Sequence, residues 1–159
     1  MEIVKTPKYI KSLFPSLNWQ IKTSKKEVYL TFDDSPTKFT YWILELLKNL
    51  EIRATFFCIG KNAERYPKII SQIILEGHQI GYHGYSHKNG LLTSTKSYLS
   101  DLIKCEKVLP SSTLFRPPYG KMSFFQIRAI QKKYKIIMWD ILSYDFKKNI
   151  TKKKLTSNV

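Results

Sequence analysis

Long apolar runs, cysteine frameworks, acidic residues and arginine are what this sequence lacks. No apolar stretch approaches the ~20 residues needed to cross a bilayer, which excludes a helical membrane span. The start, Met1-Glu2-Ile3-Val4-Lys5, places no apolar region behind a basic end, so no signal peptide is readable and a cytoplasmic location is expected. The two cysteines, Cys58 and Cys105, sit in unlike contexts without metal-knuckle or disulfide-scaffold spacing. Both are expected to be reduced, buried small hydrophobes. Acidic residues number 12 against 27 basic ones, a net charge of +15. Only four of the basic residues are Arg and 23 are Lys, spread along the whole chain. Phosphate and base recognition favours the arginine fork, so the charge does not imply nucleic-acid binding. A lysine-biased proteome gives the same count, and an acidic polymer or cell-surface substrate is the alternative. No internal repeat, low-complexity segment or interdomain linker is visible.

What is present specifies one globular domain: 159 residues, 43% hydrophobic and 14% aromatic. Residues 27–32 have the β-branched and aromatic content of a buried strand that ends in Asp33-Asp34. Ser35-Pro36-Thr37 breaks it, with Pro36 placed to open a helix. Residues 41–50 carry apolar positions at helical spacing. Residues 53–59 are a second strand, closed by Gly60, and 67–76 a helix. A short strand, 78–82, leads into a histidine-bearing loop. Residues 95–109 form an amphipathic helix, 113–115 a brief strand, 123–133 a helix and 134–139 the last clear strand. This alternation predicts a parallel α/β fold whose active site lies past the C-terminal strand ends. Residues 1–26, with Pro7, Pro15 and Trp19, are expected to be an irregular cover over a domain spanning 27–159.

All three histidines lie between residues 78 and 87. His83 and His87 are four apart, so one helical turn would put both imidazoles on one face. Two neutral imidazoles and a carboxylate suit a divalent transition metal, and Asp33-Asp34 leaves one carboxylate spare as a base. Each element alone has a plainer explanation. An Asp pair at a strand end commonly caps a helix or forms a turn, and a His pair at this spacing is often solvated. Arg116-Pro117-Pro118-Tyr119-Gly120 can be merely a rigid turn, and Trp139 a core or pocket-wall residue. His78, in Gly-His-Gln-Ile-Gly, is assigned to structure.

Thr31-Phe32-Asp33-Asp34-Ser35-Pro36, His83-x-x-x-His87, Arg116-Pro117-Pro118-Tyr119-Gly120 and the stretch from Trp139 to Phe146 occur in the order and spacing of NodB-homology polysaccharide deacetylases, a carbohydrate esterase family. Ala54-Thr55-Phe56-Phe57 and Glu76-Gly77-His78-Gln79-Ile80-Gly81 are similar to that family's intervening stretches. The resemblance covers about residues 27–147. It implies a distorted parallel (β/α) barrel and metal-dependent hydrolysis of N-acetyl groups from amino-sugar glycans such as chitin or peptidoglycan. Carried over by motif, Asp34, His83 and His87 would hold the metal, usually zinc. Asp33 would be the general base and Arg116 its orienting partner. The Tyr119 N–H would stabilise the oxyanion, and Asp145 matches the Asp that orients a catalytic histidine. Tyr119, Trp139 and Phe146 would contact substrate.

The sequence departs from that pattern in several places. Ser35 replaces a usual Gly, Gly84 a usual Ser or Thr, and Leu142 and Phe146 the more common Asp and Trp. The family's later Leu-x-x-His, its general acid, has no counterpart, because no histidine follows His87. The domain is therefore expected to lack its last one or two β/α units, leaving an open sheet edge and exposed apolar surface. Metal binding with weak or absent turnover follows. The alternative is a non-catalytic glycan-binding pseudoenzyme.

Overall fold

The computed structural model describes residues 4–158. Met1, Glu2, Ile3 and Val159, on which the reading of the two chain ends rests, lie outside the described residues. Five parallel strands form one sheet in the order β1-β2-β3-β4-β5, namely Thr31–Ser35, Thr55–Cys58, Gln79–Tyr82, Leu114–Phe115 and Lys135–Ile136. The helices are α1 Lys8–Leu13, α2 Thr40–Asn49, α3 Gly60–Arg65, α4 Pro67–Leu75, α5 Thr95–Val108, α6 Phe124–Ile130 and α7 Lys152–Ser157. Spatial order equal to chain order means that every crossover winds the same way, as in a barrel rather than a doubly wound sheet.

The curl of the sheet can be read from one side chain. In a flat sheet of this order, β1 and β5 would lie roughly 19 Å apart at ~4.8 Å per strand. Yet the Arg116 guanidinium donates to Thr31 Oγ1 on β1 at 2.7 Å and to the Ile137 and Met138 carbonyls just past β5 at 3.2 and 3.0 Å. A single planar fork reaches both outer strands only if the sheet bends strongly around it.

The core lies between this sheet and its helices. Phe56 on β2 stacks on Phe32 of β1 with centroids 5.1 Å apart, and Phe115 meets Tyr98 of α5 edge-on. Helix α2 buries Thr40, Leu44 and Leu47, and α4 buries Ile69, Ile70 and Ile73, each set at helical spacing. Gly81 permits the tight β2–β3 contact, since a Cβ there would stand 2.5 Å from the Phe57 ring. Cys58 and Cys105 are free and fully buried, and burial pushes the Cys105 thiol up to about 12.

Several local expectations shift. Residues 27–30 are exposed and β1 begins only at Thr31: the Leu30 carbonyl still accepts the Thr55 N–H of β2 at 3.0 Å, but the Val28, Tyr29 and Leu30 side chains stay in solvent. Helix α3, absent from the sequence reading, begins directly at Gly60, where Lys61 N–H bonds the Tyr85 carbonyl. The amino-terminal stretch contains the helix α1 and supplies backbone partners beyond β5. The Asn18 N–H donates to the Ile136 carbonyl and the Asn18 carbonyl accepts from the Met138 N–H, both at 2.8 Å. The outer edge of β5 is thus partly paired rather than bare. Apolar surface does remain on α2, where Phe39, Trp42, Leu46 and Leu50 are exposed. No helix among the described residues is long and apolar enough to cross a membrane.

Phe56 is fully buried between β1 and His78. Phe56→Ala should cost about 3–5 kcal/mol in urea denaturation. Leu46→Ala, on the exposed face of α2, should stay within about 0.5 kcal/mol of the parent.

Candidate metal centre and active site

The site is built where β1, β3 and β4 end. The β1–β2 register shifts between Phe32 and Ser35, so the Asp33-Asp34 pair occupies a bulge. In a regular strand neighbouring side chains point to opposite faces. Here the extra residue and the left-handed backbone of Asp34 (φ 60°) bring both carboxylates to the strand end. Asn62 Nδ2 of α3 donates to the Asp34 carbonyl at 2.9 Å and fixes the turn.

His83 follows β3 directly, and His87 lies further along a loop rather than on a helical turn. Positive φ at Gly84 (74°) and His87 (55°) folds that loop back on itself. The i, i+4 spacing therefore brings the rings together by a route other than a helix. Their centroids are 5.0 Å apart. Asp34 Oδ1 lies 3.1 Å from His87 Nε2 and 3.6 Å from His83 Nε2. One ligand atom from each of the three residues lies within 4.8 Å of the others. Behind this loop the buried Asp101 of α5 accepts the Tyr85 and Ser86 N–H groups at 2.7 and 3.1 Å.

Electrostatics suit these groups to a cation. His83 Nδ1 meets the Arg116 carbonyl at 2.7 Å. That oxygen can only accept, so Nδ1 carries the proton and Nε2 keeps a lone pair facing Asp34. Burial pushes the His83 pKa down, with Asp33 as the main opposing influence, which favours the neutral imidazole a metal needs. Asp34 is held below the usual carboxylate range, chiefly by its hydrogen bond with His87. Two imidazoles and one carboxylate are a fitting donor set for a divalent metal such as zinc, with positions left for water or substrate.

Asp33 stands beside this group, its side chain about one-third exposed, and accepts from Arg116 at 2.8 Å. The buried guanidinium lies 4.1 Å from the Phe57 ring centroid and 5.8 Å from that of Trp139. Tyr119 also has a left-handed backbone (φ 60°), and its exposed ring packs 4.6 Å from that of His87. Trp139 lines the same end of the fold, close enough that a Cβ at Gly120 would sit 2.6 Å from its ring. Asp145 and Phe146 follow Trp139 on the next stretch of chain. Both lie on an exposed loop turned by Tyr144 (φ 64°), where Asp145 accepts from Ser143 Oγ and Phe146 contacts the Tyr144 ring. Among the described residues these contacts do not reach the histidines. His78 accepts the Ala54 N–H at 3.2 Å and lies apart from the cluster.

Three positioning residues escaped sequence reasoning: Asn62, Phe57 and Asp101. Asp101 alone leaves a signal there, as an acid on the face of α5 that also buries Tyr98, Leu102 and Cys105.

With this geometry in place, similarity to known proteins is decisive. The polysaccharide deacetylase profile matches residues 20–138. The chain belongs to that family. A peptidoglycan-N-acetylglucosamine deacetylase of Bacillus cereus is 38% identical over 143 residues, covering 86% of this chain and 52% of the relative. The chain spans about half the length of this relative and of a second, 32% identical B. cereus deacetylase of the same name. Among solved structures, the Bc1960 peptidoglycan N-acetylglucosamine deacetylase, bound to 4-naphthalen-1-yl-N-oxidanyl-benzamide, superposes with a TM-score of 0.87 at 34% identity, covering 97% of this chain and 74% of that one. A mutant of BA3943, a CE4 family pseudoenzyme of Bacillus anthracis, with restored enzymatic activity gives 0.77 at 27% identity, covering 86% and 52%. These relatives place the curled five-stranded sheet within the fold of the deacetylase family.

The buried histidines make stability depend on acid. Because the folded-state pKa of His83 lies below its unfolded value of 6.5, the unfolded chain takes up the proton first as pH falls. Stability is therefore level above about pH 7.5 and declines below about 6.5, by at most about 1.4 kcal/mol per pH unit for each such group. His78, also lowered by burial, acts in the same direction. Urea midpoints of the metal-free protein from pH 8 to 5 should fall in this way, and His83→Asn should flatten the slope.

Proposed function

We propose that the chain is a metal-dependent amidohydrolase that removes N-acetyl groups from amino-sugar glycans of the peptidoglycan or chitin class and releases acetate. The observation that carries this reading is the convergence of Asp34, His83 and His87 within 4.8 Å, beside the Arg116–Asp33 pair. The three ligand residues would hold zinc, which when bound polarises an acetamide carbonyl and acidifies a water molecule.

The remaining work falls to this chain's own groups. Asp33 accepts the proton of the attacking water at a carboxylate oxygen. Arg116 keeps that carboxylate aimed, and the rings of Phe57 and Trp139 limit the guanidinium's movement. As the water oxygen adds to the carbonyl carbon, the Tyr119 N–H stabilises the oxyanion. The left-handed turn at Tyr119 sets that residue's ring against His87. Breakage of the C–N bond then requires a proton on the leaving amine. Asp33 is the one acid placed to return it.

A second reading, glycan binding without hydrolysis, is favoured by one observation. The sequence holds three histidines. Two are assigned to the metal and His78 packs against Phe56, so within these 159 residues no imidazole is left for the amine. The similarity to a family pseudoenzyme agrees with it.

Acetate release from N-acetylglucosamine oligomers and from peptidoglycan, with zinc added to metal-free protein, tests the proposal. Turnover should be measurable but lower, by on the order of 10²–10⁴, than for a relative with a dedicated acid. Asp33→Asn should abolish it while leaving zinc affinity in chelator competition near the parent value. His87→Ala should lose both. Sugar binding that is indifferent to chelators, with no acetate released, would replace the first reading with the second.

A further inference from the structure

A second concentration of charge lies on the outer side of the histidine loop. A groove of about 560 Å³ runs between α3 and α5, lined by Lys61, Lys88, Lys96, Lys104, Ser97 and Asp101. Asp101 is the one acid in this wall, and it is already engaged by the Tyr85 and Ser86 N–H groups. Lys88 Nζ lies 3.9 Å from Asp101 and donates to Ser97 Oγ at 2.9 Å. Lys104 rests on the Tyr85 ring, 3.8 Å from its centroid. Among the described residues Lys61, Lys96 and Lys104 form no ion pair. Like charges gathered around a cavity repel one another, and a bound anion relieves that repulsion. The first turn of α5, capped by Ser94, lines the same groove and adds the positive end of a 14-residue helix.

The donors select among anions. Ammonium groups are compact point charges with rotatable N–H bonds, and serine hydroxyls swivel to suit. This set matches the acceptor oxygens that surround a phosphoryl group. Arginine forks serve carboxylate and phosphate alike, and no arginine lines the groove, so recognition here rests on lysine point charges, which bind phosphate without a fixed fork. We propose that the groove binds phosphate-bearing anions and is large enough for more than one phosphoryl group. Ser86 and Lys88 flank His87, so such a ligand contacts the back of the loop whose front holds the candidate metal ligands. The proposal stands apart from the deacetylase reading: of that site's supporting residues only Asp101 borders the groove, and none of the candidate metal ligands does.

The phosphoryl groups can belong to a free oligophosphate or to the diester units of an anionic polymer. Calorimetric titration of the full chain with tripolyphosphate, poly(glycerol phosphate) and succinate, at about 150 mM NaCl, separates these sources. The triple variant Lys61→Gln/Lys96→Gln/Lys104→Gln should weaken the phosphate probe that binds by about tenfold, at roughly two- to threefold per exposed contact. The charge-matched control Lys132→Gln/Lys148→Gln/Lys152→Gln should change it less than twofold. Far-UV circular dichroism checks folding, and a triple variant that fails to fold is replaced by Lys96→Gln, expected to lose about two- to threefold. Binding of tripolyphosphate identifies the free source, and binding of the polymer alone the diester source. Equal weakening by the groove and control variants, succinate binding as tight as either phosphate probe, or no binding of either phosphate probe would each overturn the proposal.

Discussion

The guanidinium of Arg116 is the point on which the rest of the structure depends. It bonds Thr31 and Asp33 at the first strand and the Ile137 and Met138 carbonyls beyond the last, with Phe57 against its face. A buried cation costs several kcal/mol unless its donors are satisfied. Here the same bonds that satisfy it hold the sheet curled and aim the Asp33 carboxylate. The backbone carbonyl of Arg116 also sets the His83 tautomer. Fold closure, the aim of the Asp33 carboxylate and the tautomer of His83 therefore meet in one residue.

Around that residue the backbone is held in conformations that ordinary side chains avoid. Asp34, His87 and Tyr119 all have φ between 55° and 60°. Such positions cost of order 1 kcal/mol or more each and persist only where their surroundings impose them. Asn62 on the Asp34 carbonyl and Asp101 on the histidine loop are two of the groups that do so. The sulfhydryls and His78 take no part; they fill the core beneath.

Much of this was legible in the residues. The alternation of apolar strands with amphipathic helices foretold the parallel sheet, and α2, α4 and α5 fall within a residue or two of their expected bounds. The limits of legibility have physical causes. The run Val28-Tyr29-Leu30 has strand propensity but meets β2 only through the Leu30 carbonyl, and its side chains stay exposed. Helix α3 is only six residues long and begins at a glycine, leaving no periodicity to detect. Asp145 and Phe146 match a motif by order, but the left-handed turn at Tyr144 that exposes them has no local signature, because order along the chain does not determine where a loop turns.

The sequence by itself determined the chemical vocabulary: an Asp pair at a strand end, two spaced imidazoles, an arginine stiffened by two prolines, and a resemblance that named the family. Those features depend only on residue type and spacing, which a sequence states outright. The tertiary structure alone decided that one carboxylate faces the imidazoles while its neighbour faces the guanidinium, through a bulge and three left-handed residues. It alone gathered Lys61 of α3 with Lys96 and Lys104 of α5 around a shared groove. Both outcomes turn on backbone direction and on contacts between residues far apart in the chain. Local propensity does not encode them, because each exists only once the sheet has curled and the helices have packed against it.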